Sequence, residues 1–196
     1  AGGRDMEGLL TRLGRGEVLV GDGAWGTQLM ARGLPAGQAP EWFALERPEV
    51  LEEIARLYVE AGADLVTTDT FGATSFRLKL HGLDGERERL NREAVEAVKR
   101  AVGGRALVSG SIGPSGQLLE PYGDTSPDAV EEAFAEQARA LAAAGADEFL
   151  ESNAPFRLGA HIDDRDVLLD RDHDSLDDGA FLDLGAAEGF FQKGRE

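Results

Sequence analysis

The sequence predicts an α/β protein built from parallel βα units. Two observations carry this. Short β-branched runs alternate with helical patterns through roughly the first 150 residues. The stretch between successive runs is long enough to hold a helix in each crossover, as parallel strands require. Beyond residue 151 the alternation stops and the composition turns acidic.

Glu17-Val18-Leu19-Val20-Gly21 reads as the first strand, ended by Asp22-Gly23. Pro48 opens a helix, where its missing N–H costs nothing. The apolar face of that helix is Leu51, Ile54, Ala55, Tyr58 and Val59, and Gly62 stops it. Asp64-Leu65-Val66-Thr67-Thr68 is the second strand. A helix follows over 86–102, with Val95, Val98 and Val102 on one face and Gly103-Gly104 as its stop. Ala106-Leu107-Val108-Ser109 is the third strand, followed by the turn Gly113-Pro114-Ser115-Gly116. Ser126-Pro127-Asp128 starts the next helix with a hydroxyl cap, proline at the first position and an acid near the positive dipole end. Val130, Phe134, Ala138 and Leu141 form its buried side. Gly145 ends it, and Phe149-Leu150 marks the fourth strand. In sheets of this kind function collects at the C-terminal strand ends. Here those ends are Asp22-Gly23, Thr68-Asp69-Thr70, Gly110-Ser111 and the neighbourhood of Glu151.

The 196 residues carry 37 acids and 20 Lys and Arg, a formal charge of -17. That balance argues against nucleic acid and anionic membrane surfaces as partners, since both need clustered cations. No apolar stretch suits a membrane span or a signal-peptide core, so the sequence reads as cytoplasmic. Cysteine is absent, which excludes disulfides, thiolate nucleophiles and Cys-ligated zinc within this chain.

Four ordered blocks carry a family resemblance: 22–29 (Asp22-Gly23-Ala24-Trp25-Gly26-Thr27-Gln28-Leu29), 61–74 (centred on Thr68-Asp69-Thr70-Phe71-Gly72), 110–116 (Gly110-Ser111-Ile112-Gly113-Pro114-Ser115-Gly116), and 136–147 (from Glu136-Gln137 to Ala144-Gly145-Ala146-Asp147). Together they resemble the homocysteine S-methyltransferase family, which includes the homocysteine-binding module of cobalamin-dependent methionine synthase. The resemblance implies a (β/α)8 TIM barrel with homocysteine, a small-molecule substrate, at its C-terminal face. It also implies methyl transfer to the substrate sulfur, giving methionine, with cobalamin or folate among the donor systems. In the family three cysteine thiolates hold a zinc ion that deprotonates the thiol. A bound cation has that effect on a group that otherwise titrates near 8.5.

Carried over residue by residue, Asp22 with the Gly23 and Ala24 backbone matches the segment that holds the amino-acid part of homocysteine. Asp22-Gly23 equally suits a turn that ends a strand. Thr68 and Thr70 flank Asp69, where the family usually has asparagine, so Asp69 is expected to add a negative charge. β-Propensity alone also accounts for the threonines. Ser111 lies in the third matched block. Glu151 falls near the family's glutamate at the fourth strand end. Trp25 and Phe71 stand where they would wall a pocket or join the core, and His81 reads as a surface histidine.

The zinc ligands have no counterpart here, so no metal ligand and no catalytic residue is assigned. Only 45 residues follow Glu151, too few for the roughly 120 of four more βα units. The organisation expected is therefore a truncated half barrel over 7–151 and an acidic segment of unknown structure over 152–196. Residues 151–196 hold 12 acids and 5 bases. Their apolar anchors are Val167-Leu168-Leu169, Phe181-Leu182 and Phe190-Phe191. His161, Asp163 and His173 are chemically capable ligands. Asp170-Arg171-Asp172-His173-Asp174 resembles the start of a calcium loop but has Ser175 where glycine should stand. A half barrel leaves an open strand edge, so a homo-oligomer or the tail is expected to cover it. The functional expectation is a homocysteine S-methyltransferase-like protein, inactive as this chain. The alternatives are a non-catalytic binding module and a truncated or frame-shifted fragment.

Overall fold

A computed structural model describes residues 9–151, 159–163 and 166–170. The elements are α1 (Leu9–Gly14), α2 (Trp25–Ala31), a 3-10 turn (Pro40–Trp42) running into α3 (Phe43–Glu46), and α4 (Pro48–Glu60). There follow β1 (Leu65–Thr67), α5 (Ser75–Lys79), a 3-10 turn (Asp84–Glu86), α6 (Arg87–Val102), β2 (Leu107–Ile112), α7 (Pro127–Ala144) and β3 (Glu148–Glu151). A hairpin of β4 (Gly159–Asp163) and β5 (Asp166–Asp170) ends the described chain.

β1, β2 and β3 form a parallel sheet in that order, with Leu65 opposite Leu107 and Ser109 opposite Glu148. The signals read from sequence act where expected. Ser126 Oγ accepts from the Ala129 N–H at 3.2 Å and caps α7. Gly103 and Gly145 adopt left-handed backbone at the ends of α6 and α7 (φ 53° and 86°), where a side chain would be strained.

Two expectations change. The first strand shrinks to a single parallel bridge, Gly21 to Leu65. The Val20 carbonyl accepts from the Asp64 and Leu65 amides at 2.7 and 3.2 Å, but Val18 is 90% exposed and Val20 54%. With no second neighbour among the described residues, this edge has no ladder to extend. Conversely, the acidic segment, in which no regular element was read, contains the antiparallel β4–β5 hairpin, with His161 opposite Leu168. His173, the calcium-like run beyond Asp170, Phe181-Leu182 and Phe190-Phe191 lie outside the described residues.

The core has two parts. Val66, Val108 and Ile112 of the sheet pack on Val95, Val98, Phe134 and Leu141 from α6 and α7. Leu29, Phe43, Leu51, Ile54, Leu78 and Leu90 form a second cluster among the helices. Truncating a fully buried residue such as Phe134 or Leu51 to alanine costs about 2–5 kcal/mol in such cores. The α4 face read from sequence is buried at Leu51, Ile54 and Ala55, with Tyr58 and Val59 half-buried. No helix of the described residues is long and apolar enough to cross a membrane.

Candidate functional site

A cleft of about 350 Å³ opens at the C-terminal ends of the strands. Its walls come from the start of α2 (Trp25, Gly26), the 3-10 turn (Pro40, Glu41), the exit of β1 (Thr67, Thr68, Asp69, Phe71, Gly72), α5 and its following turn (Arg77, His81), and β2 (Ser111). Chains that leave parallel strands converge at this end, which is why residues distant in sequence meet there.

Asp22 does not itself line the cleft; it braces two residues that do. Its Oδ2 accepts from Trp25 Nε1, from the Thr67 amide and from Thr67 Oγ1, each at 2.8 Å. Its Oδ1 receives no donor among the described residues. Gly23 and Ala24 also stand behind the wall. The Ala24 carbonyl accepts from Tyr58 Oη at 2.8 Å, and a Cβ on Gly23 would stand 3.0 Å from the Tyr58 ring. Burial first, and the charge of Asp22 second, push the Tyr58 phenol above its usual range.

Thr68, Thr70 and Ser111 form a closed hydrogen-bond cycle. The Ser111 N–H donates to Thr68 Oγ1 at 3.1 Å, and Thr70 Oγ1 donates to the Ser111 carbonyl at 2.7 Å. The two hydroxyls lie 2.6 Å apart. A hydroxyl has one proton and that of Thr70 is committed, so Thr68 must be the donor between them. Thr70 is fully buried and lies outside the cleft lining. Its place in the site is that of a strut between the β1 exit and β2.

The turn after β1 is held from behind by two amides. Gln137 of α7 donates from Nε2 to the Thr70 carbonyl at 2.6 Å. Asn91 of α6 donates from Nδ2 to the Ala73 carbonyl at 3.1 Å. Between these anchors the Ala73 amide closes the turn on the Thr70 carbonyl at 3.0 Å. Glycine is required at both contacts of the turn. A Cβ on Gly72 would stand 2.6 Å from Glu41 Oε1, and one on Gly113 would stand 2.4 Å from the Phe71 carbonyl oxygen.

Asp69 is 5% exposed, and its Oδ2 is buried without a hydrogen-bond partner among the described residues. Burial first, and the neighbouring Glu41 second, raise its carboxyl well above the ordinary carboxylate range. Burial therefore works against the extra negative charge expected of an aspartate at this position. Glu41, missed from sequence, is 4% exposed and accepts from the Gly72 amide. Its carboxyl is also raised, by burial above all, against that amide and the charges of Arg77 and His81.

Of the residues singled out in sequence, Thr68, Asp69, Ser111, Trp25, Phe71 and His81 line the cleft, and Phe71 is 46% exposed there. Asp22, Gly23, Ala24 and Thr70 stand behind it. Glu151 ends β3 and pairs by backbone with Ile112; its side chain is outside the description. Glu41, Arg77, Asn91 and Gln137 were not read as site residues. Only Gln137 carried a signal, since it falls within a matched block. A three-cysteine zinc site does not fit this chain, which contains no cysteine. Among the described residues no group of three or more His, Asp or Glu could hold a metal instead.

Comparison with known proteins agrees with this architecture. Residues 19–155 match the family model described as homocysteine S-methyltransferase. The chain is 35% identical over 147 residues to methionine synthase of Mycobacterium tuberculosis, covering 68% of this chain and 12% of that protein. It is 31% identical over 134 residues to bovine (Bos taurus) betaine–homocysteine S-methyltransferase 1, covering 64% of this chain and 32% of the relative. Among solved structures, the metallated form of the homocysteine methyltransferase MmuM from Escherichia coli superposes with a TM-score of 0.62 at 27% identity. That match covers 72% of this chain and 56% of the other. The chain thus spans about half of that structure and less of the two enzymes.

Proposed function

The chain belongs to the homocysteine S-methyltransferase family, and from that premise we propose that its cleft holds the amino-acid portion of homocysteine without activating the thiol. One observation carries the reading. The cleft lies at the C-terminal strand ends and draws its walls from three matched blocks: Trp25 and Gly26, Thr67 to Gly72, and Ser111. We take the βα units as part of a (β/α)8 barrel in a cytoplasmic protein, with the open edge at Val18 and Val20 covered by a second copy or by the tail.

The chemistry assigned to the chain's own residues is binding and orientation. Asp22, fixed through Oδ2, holds Trp25 and Thr67 in place from behind the cleft wall, with Gly23 and Ala24 beside it. Thr68 and Ser111, locked in their cycle, present an uncharged floor beside the buried Asp69. In the family, zinc supplies thiol deprotonation. Without its cysteine ligands a bound homocysteine keeps a thiol that titrates near 8.5, and little of it is the nucleophile at neutral pH. Methyl transfer, from a cobalamin, folate or onium donor, is therefore not assigned to this polypeptide alone.

The test is calorimetric titration of the purified chain with L-homocysteine, paired with an assay for methionine using glycine betaine or S-methylmethionine as donor. Binding without methionine is the expected outcome. Methionine formation overturns the assignment of inactivity, and absence of binding overturns the site. Metal analysis after dialysis, with and without homocysteine, separates the two readings of the tail. Stoichiometric, homocysteine-sensitive zinc would mean that His and Asp residues have built a substitute centre.

A further inference from the structure

We propose that Arg77 and His81 form a carboxylate-recognition rim on the cleft, which takes the anionic end of a zwitterionic ligand. The choice of amino-acid-class ligands rests on the proposed function; the rim itself rests on charge and geometry.

Both residues are exposed and line the cleft mouth, four positions apart on α5 and its following turn. In a chain with 37 acids and 20 Lys and Arg, an arginine ordinarily finds a carboxylate. Arg12, Arg32, Arg87 and Arg100 do so at 2.7–3.0 Å. The Arg77 guanidinium has neither an ion pair nor a hydrogen bond among the described residues.

The acids of the cleft do not satisfy it. Only Glu41 and Asp69 line the cavity. Glu41 is buried, and its Oε1 is committed to the Gly72 amide. Asp69 is buried as well, at 5% exposure. Arg77 thus faces the opening, with His81 on the same cleft, and no carboxylate among the described residues pairs with its guanidinium.

The position of Arg77 is defined by packing. Thr74 Oγ1 caps α5 by accepting from the Arg77 amide at 3.4 Å. The guanidinium lies along the turn after β2, where a Cβ on Gly116 would stand 3.4 Å from Nη1 and 3.5 Å from Cδ. It therefore spans the loops that leave β1 and β2. An arginine so placed presents two parallel N–H groups that match a carboxylate, and His81 adds a ring N–H on the same cleft.

Two carboxylates could meet this rim: that of the thiol amino acid or that of a methyl donor. Paired probes distinguish them. The full chain is titrated with L-homocysteine and with 3-aminopropane-1-thiol, which keeps the thiol and ammonium but lacks the carboxylate. It is titrated likewise with glycine betaine and with choline. Arg77→Gln should weaken the carboxylate-bearing member of one pair about 10- to 100-fold, the scale of a charge-assisted hydrogen bond, and leave its partner unchanged. His81→Asn should act in the same direction with a smaller loss, and Arg77→Lys should recover part of the affinity. The pair that responds identifies the source of the carboxylate. Unchanged melting of each variant establishes that the fold is intact.

Equal weakening of both members, or of neither, overturns the rim. If wild type binds homocysteine but Arg77→Gln discriminates within neither pair, the rim fails and the proposed function stands. If wild type ignores homocysteine but Arg77→Gln selectively weakens glycine betaine, the proposed function fails and the rim stands. If wild type binds neither zwitterion, both fall.

Discussion

The two ends of the parallel sheet hold an aspartate in different ways. At the N-terminal end, Ala-Gly-Ala-Asp occurs twice, as 61–64 and 144–147, each time at the entry to a strand. In both copies the glycine takes positive φ (102° and 86°) and the aspartate bridges to the neighbouring strand. The Asp64 amide donates to the Val20 carbonyl at 2.7 Å, and Asp64 Oδ2 accepts from the Val20 amide at 3.1 Å. Asp147 repeats both contacts with Val108, each at 2.8 Å. These acids stay partly open to solvent and have backbone partners. At the C-terminal end, Asp69 is buried with an unpartnered oxygen beside a second buried acid. One end uses carboxylates as staples for the backbone. The other tolerates an unfavourable burial at a cleft, the place where α/β proteins concentrate binding groups.

If the first half of that contrast is right, removing a staple costs the most. Asp64→Ala strands the Val20 amide and releases Arg12, which holds Asp64 Oδ1 at 3.1 Å. A hydrogen bond to a charged group contributes about 1.5–3 kcal/mol, and Asp64 is 27% exposed. We expect a loss near the middle of that range, about 2 kcal/mol, read by urea denaturation. A neutral result would break the comparison at once.

The same operation at the other end should change sign. Asp69→Asn replaces a buried acid with a neutral group of the same shape, and we expect it to stabilise the chain at neutral pH by about 1.5 kcal/mol, the scale of one stranded buried polar group. The pH dependence follows from linkage. The raised carboxyl of Asp69 keeps its proton in the folded state where the unfolded chain has lost it. Folded wild type therefore loses stability as pH rises from about 3.9, the ordinary aspartate value, through the raised folded value. Asp69→Asn lacks that slope. The advantage of the variant should vanish near pH 3.5 and grow toward neutrality. A variant less stable than wild type at neutral pH would mean that Asp69 has a partner worth more than its burial costs.

How much of this was legible in sequence follows the same division. The N-terminal end could be read directly, because helix stops and strand starts are local. Gly62, Gly103 and Gly145 each act within a few residues of their own position. The C-terminal end depends on side chains that meet across loops. Glu41 reaches Gly72 from 31 residues away, and Gln137 reaches Thr70 from 67; nothing local to either residue announces the contact. The first strand was over-read because β-propensity reports a wish to pair, not the presence of a partner. The charge expected at Asp69 meets a related obstacle. Residue type gives the charge in water, and burial decides whether it is kept.

The smallest expected effect sharpens the contrast from inside the site. Thr70→Val preserves shape and removes one hydroxyl from the Thr68–Thr70–Ser111 cycle. Thr68 Oγ1 then loses its acceptor, and the Ser111 carbonyl keeps only Gln137 Nε2 at 3.4 Å. We expect a loss of about 1 kcal/mol by thermal melting. Adding Thr68→Val removes the stranded hydroxyl but leaves the Ser111 amide unpaired, since that hydroxyl is its acceptor at 3.1 Å. The double variant should therefore be less destabilised than the sum of the singles, because the second substitution acts on a cycle already open. Strict additivity would mean that the three groups hold the β1 exit independently. The cleft floor would then be a row of separate contacts and not the closed unit that sets it apart from the stapled end of the sheet.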